Sequence, residues 1–387
     1  MRIAIDARMI SPGSMHGIAR YVYELLRCLA EIKTSHHFFI LVNKESPLND
    51  MDLPPYMTLT KVKGSWISLL QQWELPRVLR ELKIDLLHAP SFMAPLACPC
   101  RLVMTIHDLN HMVLPQFYTP FHQFYYQIFV RNCIQRSRYV LTVSRFSKEE
   151  IVRNLKIPRE KVYVTYNGVA SQYLPIKDQD KLNYVRDLYE LPEKFIFCVS
   201  NNKPHKNVLQ LVRAFCHSRV DIPLVLACPV DPNIIRIAEG YNKKHLIYFS
   251  KFISEIHLPF VYSMTHLFVY PSTYEGFGLP PLEALACGTP VVVAHSSSLP
   301  EVVGNSAIFA NPFDYRDIAR ALEVGVFDEE LRQKLKSSGV EHAKRFSWYT
   351  MTEQTLAIYE KCIESPTSEI DQDHSKGQFA ALSNSKA

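Results

Sequence analysis

Two carboxylates eight residues apart, Glu275 and Glu283, sit in the stretch LFVYPSTYEGFGLPPLEALACGTPVVVAHSSSLPEVVG, residues 267–304. Ionised carboxylates accept hydrogen bonds from hydroxyl groups and repel phosphate. Between them, Glu275-Gly276-Phe277-Gly278 supplies a turn, and Pro280 and Pro281 suit the first positions of a helix, where the missing N–H would have no intrahelical partner. A helix start reached through small residues presents unpaired N–H groups and the positive end of the helix dipole, both of which favour phosphate. A ligand that satisfies both features carries hydroxyl groups beside a diphosphate, as a nucleotide sugar does.

The elements that must hold these residues are two short apolar runs, Leu267–Tyr270 and Val291–Ala294, which read as buried parallel strands, with Gly288 just past the end of the intervening helix. The same alternation runs through the whole chain. Arg2–Arg8 reads as a first strand, then Met9–His16 as a loop, and a helix opens at Gly17-Ile18-Ala19-Arg20 with a helical apolar period through Ile32. Further strands are expected at His37–Val42, Asp85–His88, Leu102–Ile106, Tyr139–Val143 and Val162–Thr165. A second series runs Phe195–Val199, Leu224–Ala227, Leu246–Phe249, Leu267–Tyr270, Val291–Ala294 and Ala307–Phe309. Strand and helix in alternation give a parallel sheet covered on both faces, with ligands beyond the carboxyl ends of its strands. Polar turns fall at such ends: His107-Asp108, Ser144, and SNNKPHKN, residues 200–207, where Lys206 can neutralise a diphosphate as a flexible point charge. Ser147-Lys148-Glu149-Glu150 reads as the capping box of the helix after Ser144.

PSxxEGFGLPPLEAxAxGTPVV closely resembles the donor-site signature of retaining glycosyltransferase family 4. The resemblance covers residues 1 to about 363 and is strongest from Phe195 to Gly304. It implies an α/β protein of GT-B architecture: two Rossmann-like parallel-sheet domains facing a cleft, with a C-terminal helix crossing back to the first domain. The domains are expected at 1–170 (acceptor side) and 192–345 (nucleotide sugar), joined by a linker at 171–191 and followed by a crossover helix at 346–364. It also implies retention at the anomeric carbon. Glu275 then addresses the donor sugar and Glu283 the ribose, while Phe277, Gly278 and Leu279 offer backbone N–H groups. TIHDL is similar to the family's cleft turn, which brings His107 to the donor sugar, and Arg20 sits near the cleft mouth with Ser144 lining the same side. Lys206 matches the family's phosphate-binding Lys. Two departures shift more of the phosphate charge onto it: Ser200 replaces the usual Gly, and Asn201 stands where many members carry Arg. GIARY and TIHDL together are similar to mannosyltransferases of surface polysaccharide and LPS O-antigen assembly, which implies GDP-mannose and a lipid-linked saccharide acceptor.

Length and composition agree with two domains: 387 residues exceed the ~250–300 at which one core stops growing, and the chain is 47% hydrophobic and 21% charged. Its nine cysteines include no Cys-x-x-Cys or zinc-spaced cluster, so reduced thiols and a cytoplasmic location are expected. The N-terminus runs straight into a strand-like segment and no 18 apolar residues occur together, so neither secretion nor membrane spanning is expected. Residues 1–170 carry 21 Lys+Arg against 13 Asp+Glu, the remainder 22 against 25. With aromatics and cations mixed in Ser65–Lys83 and Tyr118–Arg138, this points to peripheral docking of the front domain on an anionic membrane rather than to nucleic acid, although for either helix taken alone core packing of the aromatics is the stronger reading. Residues 365–387 are too polar to fold and read as a disordered tail. No dinucleotide fingerprint, P-loop or strand-terminal Asp-x-Asp occurs, so no metal or cofactor is expected. On the same scaffold a sugar-nucleotide epimerase or hydrolase, or a non-catalytic nucleotide-sugar sensor, is the alternative, since fold alone does not separate them.

Overall fold

The computed structural model describes residues 1–11, 17–65, 68–117, 129–201 and 203–364. Among them, thirteen strands form two sheets in which every pairing is parallel. The front sheet contains β1 (Arg2–Asp6), β2 (His37–Val42), β3 (Met57–Lys61), β4 (Leu86–Ala89), β5 (Arg101–Ile106), β6 (Tyr139–Thr142) and β7 (Val162–Val164), in the order 3-2-1-4-5-6-7. The back sheet contains β8 (Ile196–Val199), β9 (Leu224–Ala227), β10 (Ile247–Phe249), β11 (Leu267–Tyr270), β12 (Val291–Ala294) and β13 (Ile308–Ala310), in the order 10-9-8-11-12-13. The order reverses at β1 and at β8, the switch points beside which ligands gather in open α/β sheets.

Alternation along each strand feeds two cores per sheet, as a two-period requires. Ile3 and Ile5 of β1 join Val22, Leu25 and Leu29 on one face, while Ala4 joins Leu75, Ile134 and Ile151 on the other. In the back sheet Phe197, Phe268 and Val293 pack on Leu282 and Leu285, and Ile196, Leu267 and Val292 pack on Leu211, Phe215 and Leu322. This is the doubly covered, two-domain α/β architecture that the strand–helix alternation demands. The terminal helix, Trp348–Glu364, returns to the front domain, where Trp348, Met351, Ile358, Tyr359 and Cys362 enter the core built on β1.

Four local expectations need correction. β3 escaped notice because it is the sheet edge, and of its MTLTK residues only Met57 is buried. The helix sought over Ser65–Lys83 spans Gln71–Glu81, with Pro76 inside it. Its Trp73 is exposed rather than packed. The helix after β6 starts at Arg145, and its cap is Ser144, whose hydroxyl accepts the Ser147 N–H at 3.0 Å; the Ser147 capping box does not form. Most of Tyr118–Arg138 and all of 365–387 lie outside the described residues, leaving Arg131–Arg136 as a short helix. All nine cysteines are free thiols, with the Cys98 and Cys100 sulfurs 3.7 Å apart. No helix among the described residues is long and apolar enough to cross a membrane.

Burial keeps three histidines neutral: His88, pushed down to about 3, and His205 and His266, each to about 4. In the unfolded chain each titrates near ~6.5. Below that pH the unfolded state takes up protons that the fold refuses, so stability falls as pH drops. Glu283, whose carboxyl burial pushes up to about 7, acts with the opposite sign between its ordinary range and that value, and offsets one histidine. The melting temperature is expected to fall steadily from about pH 6.5 to about pH 5. Thermal scans at fixed ionic strength check this; a flat or rising melting temperature over that interval contradicts it.

Candidate donor site in the cleft

After β11 the chain turns through Pro271–Gly278 before the helix Leu279–Ala286 begins with its paired prolines. Gly276 lies so close to the front domain that a Cβ there would sit 2.1 Å from the His107 carbonyl oxygen. Gly278 has φ +106°, a conformation that side chains strain to adopt. No side chain caps this helix, and because Pro280 and Pro281 carry no N–H, its open start offers an anion the Gly278 and Leu279 N–H groups and the positive end of the dipole.

Three consecutive serines at the end of the neighbouring strand β12 fix the turn. Ser296 donates to the Thr273 carbonyl at 2.7 Å, and Ser297, at φ +52°, accepts the Glu275 N–H at 3.0 Å. The Ser298 hydroxyl lies 2.9 Å from the Glu275 carbonyl and 2.8 Å from that of Phe277. Sequence reasoning singled out none of them for this role. The available signal was a run of hydroxyls one residue past β12, whose partner β11 leads into the loop that carries Glu275.

Adjacency of β8 and β11 explains the next feature. Lys206, in the Pro204–Lys206 turn after β8, donates to Glu275 Oε1 at 2.6 Å and to the Tyr270 hydroxyl at 2.9 Å, and Tyr270 in turn donates to Glu275 at 2.8 Å. The Lys206 and Glu275 side chains are only 16% and 14% exposed. Burial alone would raise the Glu275 carboxyl, yet the Lys206 ammonium holds it below its ordinary value; Lys206 is held above its own range against burial by Glu275 and Tyr270. Asn201 lies apart on the exposed rim, its side-chain oxygen accepting the Lys203 N–H at 3.1 Å. Phe277 is buried, with its ring edge-on to Phe346 at 5.8 Å.

Glu283 accepts the Tyr262 hydroxyl at 3.2 Å. Burial pushes its carboxyl up to about 7, with Arg20 opposing and Glu255 reinforcing the rise. Arg20 reaches from the front domain into an ion pair with Glu255 of the back domain and lies 3.9 Å from Glu24. This second cluster thus spans the cleft.

From the front side, the His107 Nε2–H donates to the Pro90 carbonyl at 3.0 Å, and its ring meets Tyr21 edge-on at 4.8 Å. The next residue, Asp108, accepts the Asn110 N–H at 3.0 Å; burial and then the Glu275 charge push its carboxyl up, with Lys206 opposing. Ser144 donates to the Gly276 carbonyl at 2.7 Å, and the Ser147 hydroxyl lies 3.2 Å from the same oxygen and 3.1 Å from that of His107. Ser144 therefore faces the loop that carries Glu275. Glu301, in the short helix Leu299–Val303, crosses in the other direction: it accepts the Arg145 N–H at 2.9 Å, the Phe146 N–H at 3.2 Å and the Tyr166 hydroxyl at 2.6 Å. No sequence motif announces that contact, because it joins residues more than 130 positions apart. Among the described residues, no group of three or more His, Cys, Asp or Glu is arranged to hold a metal.

Two facing parallel-sheet domains with this cleft and a returning terminal helix make up the GT-B architecture. Residues 15–173 match the family model described as Glycosyltransferase Family 4, and residues 186–342 match Glycosyl transferases group 1. The two models lie end to end along the chain, which is a glycosyltransferase built from one domain of each kind. It is 29% identical over 364 residues to O-antigen chain mannosyltransferase B of Escherichia coli, covering 89% of this chain and 95% of that protein. It is 25% identical to the serotype-specific mannosyltransferase WbdA of Escherichia coli across its whole length, and spans half of that larger protein. HepE of Anabaena, solved with UDP and glucose, superposes with a TM-score of 0.74 at 17% identity, over 93% of this chain and 100% of that one.

Proposed function

We propose that the chain is a retaining hexosyltransferase that moves mannose from GDP-mannose to a lipid-linked saccharide acceptor in surface polysaccharide or O-antigen assembly. The observation that carries the nucleotide-sugar part is the uncapped helix start beside the Lys206–Glu275 pair, with Glu283 in the first turns of the same helix. The backbone N–H groups of Gly278 and Leu279, the helix dipole and Lys206 take the diphosphate, Glu275 a donor-sugar hydroxyl and Glu283 the ribose. His107 approaches the sugar from the front. Asn201, on the rim, contributes polar contact only. Departure of the nucleoside diphosphate is stabilised by Lys206 and the helix dipole, so no metal ion is needed. Attack occurs on the face that the leaving group vacates, with a diphosphate oxygen taking the acceptor proton. The mannosyl assignment rests on the names of the relatives.

The acceptor side is the basic front domain, in which Leu69, Leu70 and Trp73 are exposed beside Arg77 and Arg80. Such a mixture suits reversible docking on the anionic inner leaflet of the cytoplasmic membrane, worth about 1 kcal/mol per cation near the surface.

The test is a thermal-shift panel of GDP-mannose, UDP-glucose and dTDP-glucose, followed by transfer assays with the best binder, with and without EDTA. GDP-mannose is expected to stabilise most; at 100 times its dissociation constant a ligand adds about 2.7 kcal/mol. Turnover should survive the chelator. A uridine donor stabilising more strongly would overturn the GDP-mannose assignment, and activity abolished by EDTA and restored by magnesium would overturn the metal-free reading. Co-sedimentation with anionic but not neutral liposomes, lost at high salt, is expected for the docking.

A further inference from the structure

The terminal helix carries a polar side chain, Tyr359, with no exposed surface, and it leads into a chain of buried polar groups. The Tyr359 hydroxyl lies 2.6 Å from His88 Nδ1, and His88 Nε2 lies 2.8 Å from the Thr105 hydroxyl. Thr105 is 3.2 Å from the Tyr21 hydroxyl, and the Tyr21 ring stands edge-on to His107 at an interplanar angle of 84°. Four elements contribute one residue each: the terminal helix, β4, β5 and the helix Gly17–Glu31. His88, Thr105 and Tyr21 are as fully buried as Tyr359. A core of this size could be filled by Phe, Leu and Val at these positions at no desolvation cost, whereas buried polar groups need every partner in place. His88 is kept neutral by burial and by the nearby His107, so it has one N–H and one lone pair, which its two hydroxyl partners match.

We propose that this chain makes Tyr359, His88, Thr105 and Tyr21 positioning residues, through which the terminal helix sets the orientation of the His107 ring in the cleft. The ring is fixed on one side by the Pro90 carbonyl and on another by Tyr21. Tyr21 is fixed in turn by its hydroxyl on Thr105. The inference rests on the proposed donor-side role of His107, but its first test does not.

Imidazole ¹⁵N–¹H NMR spectra of the full chain are compared for the parent, Tyr359→Phe, Thr105→Val and Thr105→Ser. The His107 ring resonances are expected to shift or broaden in Tyr359→Phe and Thr105→Val and to return in Thr105→Ser, which keeps the hydroxyl. Unchanged His107 resonances in both hydroxyl-deleted variants overturn the proposal. With GDP-mannose as the donor probe, Tyr359→Phe is expected to lower kcat about tenfold, as misorientation of a group in the site does, with donor KM within about twofold. In a His107→Ala background the same substitution should change kcat little. An equal loss in both backgrounds overturns the proposal, because a merely structural Tyr359 acts regardless of His107. If GDP-mannose is not turned over by the parent, the donor reading fails while the spectra still decide the positioning.

Discussion

Glu275→Gln is expected to lower turnover by about ten- to a thousand-fold while changing donor affinity much less. The carboxylate is ionised in the free site because Lys206 outweighs the burial that would protonate it. Its charge is therefore available to a sugar hydroxyl at no further protonation cost. A charge-assisted hydrogen bond that strengthens as the sugar gains positive character in the transition state is worth roughly 1.5–4 kcal/mol. The amide keeps the shape and one acceptor but neither the charge nor the pairing with Lys206. Initial rates under saturating donor measure the effect, and rates within twofold of the parent would refute the assignment of Glu275 to the donor sugar.

Lys206→Ala should have two separable consequences. The first is loss of nucleoside diphosphate affinity by at least tenfold, or about 1.4 kcal/mol, from removal of the flexible cation beside the helix start. The second concerns the protein without ligand. Removing one partner of a buried pair leaves the other charge uncompensated, at about 3–5 kcal/mol in fully buried cases; residual exposure and the Tyr270 hydroxyl place this pair below that figure. A melting temperature several degrees lower is expected for Lys206→Ala. Adding Glu275→Gln to it should recover part of the stability and none of the turnover. A double variant no more stable than Lys206→Ala would mean that the pair contributes nothing to the fold.

The donor loop and its flanks were legible because their signals are local. A buried apolar run bounded by proline, a turn with two glycines, two prolines at a helix start and a glycine past its end each act within a few residues, and β11 and β12 begin and end where the pattern puts them. β3 was not legible, because an edge strand with one buried residue has no apolar period to read. The cap at Ser144 was missed in favour of Ser147 because both are followed at the right distance by polar residues, and only tertiary placement beside Gly276 selects between them. The serine run, Glu301 and the Tyr359–His88 contact depend on partners fixed by strand order and domain closure. Local sequence carries little information on those. Lys206 was recognised as a cation for phosphate, but its pairing with Glu275 follows from β8 lying next to β11.

The Gly276 carbonyl, held by Ser144 and Ser147 of the other domain, makes the donor loop a shared component. If the domains part, that oxygen loses both hydroxyls, the Arg145 and Phe146 amides lose Glu301, and Arg20 loses Glu255. Loop order and cleft closure then become one cooperative transition. Such an arrangement behaves as a coincidence detector: the turn that carries Glu275 has all its partners only while the front domain is in contact. Under the proposed function, a donor on the back domain alone would meet an unfinished site, keeping its activated sugar from reacting with water until the front domain closes.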